Sequence, residues 1–113
     1  MFEPTLNIDA EVSLHELTPP LITEINRLRP FGIGNPEPLF ACRNVQLKTP
    51  RIVGKNHLKL QISDNMILLD AIRFSAGAEL PPPGAADIAF VPEWNTFNGN
   101  TTMQLKIRDL KTM

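Results

Sequence analysis

The sequence has no tyrosine, one tryptophan and one cysteine, and each scarcity removes a class of explanation. A lone thiol, Cys42, cannot form an internal disulfide, so the chain does not read as a cross-linked secreted scaffold. With no activating neighbour in sequence, Cys42 reads as a small buried hydrophobe or an inert surface thiol. No apolar run approaches the ~20 residues that cross a bilayer as a helix, and the N-terminus lacks the basic-then-apolar pattern of a signal peptide. A cytoplasmic protein with no membrane partner is therefore expected. Histidines number two, His15 and His57, and neither has a cysteine or carboxylate beside it at metal-ligand spacing. No metal site, no cofactor and no catalytic residue is expected in the chain. A formal net charge of -1 and a pI near 6.1 argue against a generally basic nucleic-acid-binding protein.

What is present points to one small β-rich domain. At 113 residues and 42% hydrophobic, the chain can bury a core unaided. Eleven prolines cluster where turns between short strands would use them. The charge is unevenly placed. Arg43, Lys48, Arg51, Lys55, Lys59 and Arg73 face only Asp64 and Asp70 across residues 43–73, a local sum of +4. Such a stretch is either an anion-binding surface or an ordinary solvated strand face.

The stretch from Leu28 to Phe40 organises the rest. It holds three prolines and two glycines, and separates a helical pattern from strand patterns. Pro30 ends the helix before it, Gly32 and Gly34 can take positive φ, and Pro36 and Pro38 hold the exit extended. Phe31, Ile33, Leu39 and Phe40 are too apolar for a free linker, so a turn pinned at one end of a barrel is expected. Upstream, residues 6–14 alternate Leu6, Ile8, Ala10, Val12 and Leu14 against polar positions, the pattern of a half-buried strand. Ser13 and Glu16 resemble a capping box, and Thr18 caps a helix over residues 19–29 with Pro19 at its first position.

Downstream, five strand-like runs follow. The first covers residues 40–53, with Pro50 at a phase change that suggests a bend. The second, residues 57–63, sends Leu58, Leu60 and Ile62 inward and His57, Lys59, Gln61 and Ser63 outward. The third, residues 66–74, is apolar in both phases and is expected to be a central, well-covered strand with Asp70 as a structural hydrogen-bonding group. Residues 75–86, with three consecutive prolines, form a surface crossing. The fourth run covers residues 87–94 and the fifth residues 102–110, joined by a connector from Asn95 to Asn100 that contains the hairpin pair Asn98-Gly99.

Three strands in meander, a crossing and a hairpin make the fold class mainly β: a five-stranded OB-like barrel preceded by an extra N-terminal strand and one helix. Residues 1–39 are expected to pack on the barrel of residues 40–113 as one structural domain. In that fold the second and third strands and the loops 1–2 and 4–5 bind oligonucleotides or oligosaccharides. Here those loops carry Lys55 and Asn56 on one side, and Trp94, Phe97, Asn98 and Asn100 on the other. Cations beside aromatics suit a single strand, whose phosphates need positive charge and whose bases need a flat surface.

The segments Pro30–Phe40, Gly54–Leu60, Asp70–Phe74, Phe97–Gly99 and Gln104–Asp109 together resemble the OB domain of the bacterial single-stranded-DNA-specific exonuclease RecJ, over residues 6–110. The resemblance implies a piece of a larger 5′–3′ exonuclease of DNA repair and recombination. It implies manganese or magnesium held by Asp-His-His motifs in a domain not present here, and the remaining domains of that enzyme and single-stranded DNA as partners. It also implies DNA contact at Lys55, His57, Lys59, Arg73 and the loop from Phe97 to Asn100. The alternative is an interdomain scaffold or protein-interaction domain of the same enzyme, using residues 6–14 and the hinge.

Overall fold

The computed structural model describes residues 6–29, 31–32, 36–77 and 79–112. Pro30, Ile33, Gly34 and Asn35 of the expected hinge, and Ala78 of the crossing, lie outside the described residues. Five strands form the barrel: β2 (Phe40–Val53), β3 (His57–Ser63), β4 (Leu68–Arg73), β5 (Gly84–Phe97) and β6 (Asn100–Thr112). They run β2-β3-β4-β6-β5 around the sheet, and a further β2–β5 pairing closes it. Every pairing in the barrel is antiparallel except β4 with β6, whose parallel register is what the proline-rich crossing makes possible. A short strand β1 (Ala10–Glu11) adds outside the barrel, parallel to the start of β2.

Alternation along the strands builds the core. Val45, Leu47, Leu58, Leu60, Ile62, Ala71, Ile88, Phe90, Leu105 and Ile107 all point inward and are buried. β2 can run 14 residues because it bends twice. Its register shifts between Lys48 and Arg51, with Thr49 at φ 48°, and again between Cys42 and Val45, with Asn44 at φ 56°. The second bend is fastened by the Asn44 N–H, which donates to Asp87 Oδ1 at 2.9 Å. The bend near Pro50 was legible from the sequence; the one at Asn44 was not.

Residues 6–14 depart from the expected half-buried strand. Only Ala10 and Glu11 make a ladder, both exposed, with the start of β2 as their partner strand. Its anchors are backbone bonds from Asp9 to Leu39 and from Val12 to Ala41, both 2.8 Å, and the Leu39 N–H donating to Asp9 Oδ2 at 2.7 Å.

The main core also takes in the segment before the helix. Ser13 N–H donates to Glu16 Oε1 at 3.0 Å and starts a single 3₁₀ turn (Leu14–Glu16). That turn drops Leu14 and Leu17 into the main core. The helix α1 (Pro19–Asn26) follows, capped by Thr18 Oγ1, which accepts from the Leu21 N–H at 3.5 Å. It buries Ile22 and Ile25 and ends in a turn at Arg27 and Leu28, three residues before the expected end. The hinge exit covers the barrel's outer wall: Leu39 forms a separate small cluster with Ala89 and Val91, the residues of β5 that alternate with the inward Ile88 and Phe90.

The third strand corrects a second expectation. β4 is central in the sheet order, yet only Ala71 on it is buried. Its outer phase is open: Leu68 is 53% exposed and Phe74, just past its end, 53%. An apolar run on both phases does not by itself mean burial on both faces, because among the described residues no helix or second sheet lies against this side of the barrel.

Candidate nucleic-acid interface

The open side of the sheet carries a groove of about 500 Å³. Strand geometry decides what lines it, since one phase of each strand fills the barrel and the other points out. Outward positions are Lys59 on β3, Asp70 and Ile72 on β4 with Phe74 beyond, Thr102 and Gln104 on β6, and Asn95 and Phe97 on β5, with Asn100 at the hairpin end. The ladders fix who stands beside whom. Lys59 is opposite Ile72, Asp70 lies between Gln61 and Gln104, and Asn95 pairs with Thr102 and Phe97 with Asn100.

On the β2 side the same outer face is cationic. Arg51 is directly opposite Lys59, and Lys48 is opposite Gln61. Like charges placed directly across a ladder repel, at a cost of roughly 0.2–1 kcal/mol. No ion pair among the described residues relieves it: Lys48, Arg51, Lys55 and Lys59 are all without one. On β6, one carboxylate, Glu37 of the hinge exit, is shared by Lys106 Nζ at 3.0 Å and Arg108 at 3.6 Å. The β2–β3 hairpin carries four cations without an ion pair among the described residues.

The residues singled out from the sequence divide into three groups. Lys59, Phe97 and Asn100 lie together in the groove. Lys55 and Asn56 occupy the exposed β2–β3 turn and Asn98 the tip of the β5–β6 hairpin, and none of the three lines the groove. The β5–β6 connector is shorter than expected, since the ladder continues to the Phe97–Asn100 pair and leaves only Asn98 and Gly99 to turn, at φ 52° and 81°. Two positive φ values in succession are what an Asn-Gly turn supplies. His57 is a brace: its ring meets Phe74 edge-on at 5.3 Å, and its Nδ1 accepts from the Ser75 N–H at 3.0 Å.

Arg73 and Trp94 are not brought into the groove. Arg73 is in register with the inward Leu58, in the opposite phase to Ile72 and Phe74, and its guanidinium lies 3.7 Å from Asp109. Trp94 is half-buried opposite Met103, in the phase that alternates with Asn95 and Phe97. Sequence reasoning missed Phe74, Ile72, Asn95, Thr102 and Gln104 in the groove, and Lys48 and Arg51 beside it. The signal was present for β4, since continuing the phase of Asp70 gives Ile72 and Phe74; Asp70 itself is exposed and its side chain makes no hydrogen bond or ion pair among the described residues, against its expected structural role. Lys48 and Arg51 belong to the +4 stretch, but the bulge between them hides which face they share.

Among the described residues no group of three or more His, Cys, Asp or Glu side chains could hold a metal ion, and no helix is long and apolar enough to cross a membrane. Cys42 is buried, and that burial first, then the negative charge of Asp64, pushes its thiol from 9.0 up to about 11. A thiol held in that state is not a nucleophile at neutral pH.

Comparison with known proteins gives a consistent relationship. The RecJ OB domain family model matches residues 8–109. The single-stranded-DNA-specific exonuclease RecJ of Bacillus subtilis is 33% identical over 114 aligned positions, covering 96% of this chain and 14% of that protein. Its namesake from Haemophilus influenzae is 32% identical over 106 positions, covering 88% of this chain and 18% of that one. The crystal structure of RecJ in complex with Mg2+ from Thermus thermophilus superposes with a TM-score of 0.74 at 23% identity, over 96% of this chain and 17% of that one. The chain thus spans between 14% and 18% of the length of these curated relatives.

Proposed function

The chain belongs to the RecJ family as its OB domain, and we propose that it holds single-stranded DNA along the outer face of β2, β3, β4 and β6. The carrying observation is the juxtaposition of the unrelieved Arg51–Lys59 pair with the exposed rings of Phe74 and Phe97 on one open face. Phosphates settle over Lys48, Arg51 and Lys59, with Lys55 and Asn56 at the turn. Bases stack on the two phenylalanines, and Asn95, Asn98, Asn100 and Thr102 offer hydrogen bonds to base edges. His57 acts by fixing Phe74, and Arg73 by fixing the end of β4 to β6 through Asp109. Trp94 supports the hairpin from its other side.

In this reading the chain is the strand-binding module of a longer 5′–3′ single-strand-specific exonuclease of DNA repair and recombination in the bacterial cytoplasm. It keeps the strand in place while hydrolysis, with manganese or magnesium, takes place in another domain. The competing reading, an interdomain or protein-interaction scaffold, draws support from Met66 and Leu68, exposed by 90% and 53% beside the β3–β4 turn.

Fluorescence anisotropy with a labelled single strand and its duplex, at low and moderate salt, separates the two. Preference for the single strand, a dissociation constant on the order of micromolar and a marked loss on adding salt are the expected results. Failure to bind either nucleic acid at low salt would reject the strand-holding role and leave the scaffold.

A further inference from the structure

A carboxylate stands in the middle of the groove proposed to hold a polyanion. Asp70 is exposed between Gln61 and Gln104, two neutral amides, and among the described residues it makes no ion pair and no side-chain hydrogen bond. Lys59 is two residues along the ladder on the same face, opposite Ile72, and makes no ion pair with it. An uncompensated negative charge there repels phosphate as surely as Arg51 and Lys59 attract it. The outer face is thus divided into a cationic track on β2–β3, for the backbone of the strand, and a track on β4–β6 with one acceptor-only group between apolar and amide side chains, for the bases.

What a carboxylate accepts decides which base. Guanine presents two adjacent donors on its Watson–Crick edge, N1–H and the N2 amino group, spaced to meet both oxygens of one carboxylate. Cytosine and adenine present a single amino group there, and thymine only N3–H. We infer that Asp70 is a base-reading residue and that the groove prefers guanine over thymine in the nucleotide that lies across β4. The inference rests on the strand-holding reading above and adds a sequence preference to it.

The test uses the 113-residue chain and three 12-nucleotide probes in lithium buffer, which does not support guanine quadruplexes: all-thymidine, alternating thymidine–guanosine and alternating thymidine–inosine. Inosine keeps the ring system for stacking and loses only the N2 amino group. The guanine probe should bind about fivefold tighter than the thymidine probe, the low end of what a bidentate base contact gives, with the inosine probe between them. In Asp70→Ala the ratio of guanine to thymidine affinity should fall towards one, while the thymidine probe binds as well or better because a repelling charge is gone. An equal affinity of the wild-type chain for guanine and thymidine probes would overturn the inference and leave strand holding intact. So would an unchanged ratio in Asp70→Ala, or loss of the thymidine probe by that variant, which would make Asp70 structural. A wild-type chain that binds none of the probes would overturn the strand-holding reading itself.

Discussion

Arg51 and Lys59 stand directly opposite each other in the β2–β3 ladder, two cations on one open face with no ion pair among the described residues to relieve them. Folding gains nothing from this pair. Replacing Arg51 with Thr, a good strand former, should raise thermal stability by a few tenths of a kcal/mol up to about 1 kcal/mol. The same change should weaken binding of single-stranded DNA and reduce the slope of log affinity against log salt by about 1, as each lost phosphate contact does. Thermal denaturation and titrations at several salt concentrations check the two opposite effects together. A drop in stability with binding unchanged would contradict the assignment.

The aromatic side chains should separate by face. Phe97 is 71% exposed, so Phe97→Ala should leave the melting temperature within a degree or two while lowering single-strand affinity about fivefold or more. Phe74→Ala should weaken binding similarly. Trp94→Phe, altering a half-buried ring in the other phase of β5, should leave affinity unchanged.

Cys42 supplies a pH dependence. Its folded thiol is held up to about 11 against 9.0 when unfolded, so the folded state keeps its proton over a range where the unfolded chain loses it. Unfolding then releases a proton, and stability falls as pH rises: the contribution is complete below pH 9 and is lost progressively towards 11. Urea unfolding at pH 8 and at pH 10.5 should show the decline, and Cys42→Ala should flatten it. Alkylation by iodoacetamide at pH 8 should be slow in the native chain and appear on unfolding.

The two apolar residues of the N-terminal segment should differ sharply. Leu14, 1% exposed inside the barrel, should cost about 2–5 kcal/mol when replaced by Ala, whereas Ile8→Ala, at a position 36% exposed, should cost under about 1 kcal/mol. Denaturant titration of both variants measures this. Equal losses would mean that residues 6–14 act as the covered strand their alternation suggests.

The sequence by itself determined the inward phase of β3, β5 and β6, the Asn98-Gly99 turn, the Thr18 cap and the bend near Pro50. Each of these is set by residues within a few positions: side chains alternate with period two, Asn-Gly tolerates positive φ, and proline cannot donate to a ladder. Those local rules, with the grouping of the strands, were enough to expect a five-stranded OB-like barrel.

What only the tertiary structure decided is which apolar and charged residues remain in water. Alternation says that Ile8 and Leu14 share a phase, but whether a neighbour covers that phase depends on segments far away in sequence. Leu14 is buried in the main core and Ile8 stays 36% exposed. Phe74 reads as core until the face of β4 turns out to be uncovered, and Arg51 reads as one more surface cation until a bulge at Thr49 sets it opposite Lys59. Burial and cross-strand opposition are properties of pairs of distant segments, so the groove, its cationic track and the lone carboxylate of Asp70 emerge only when the sheet closes.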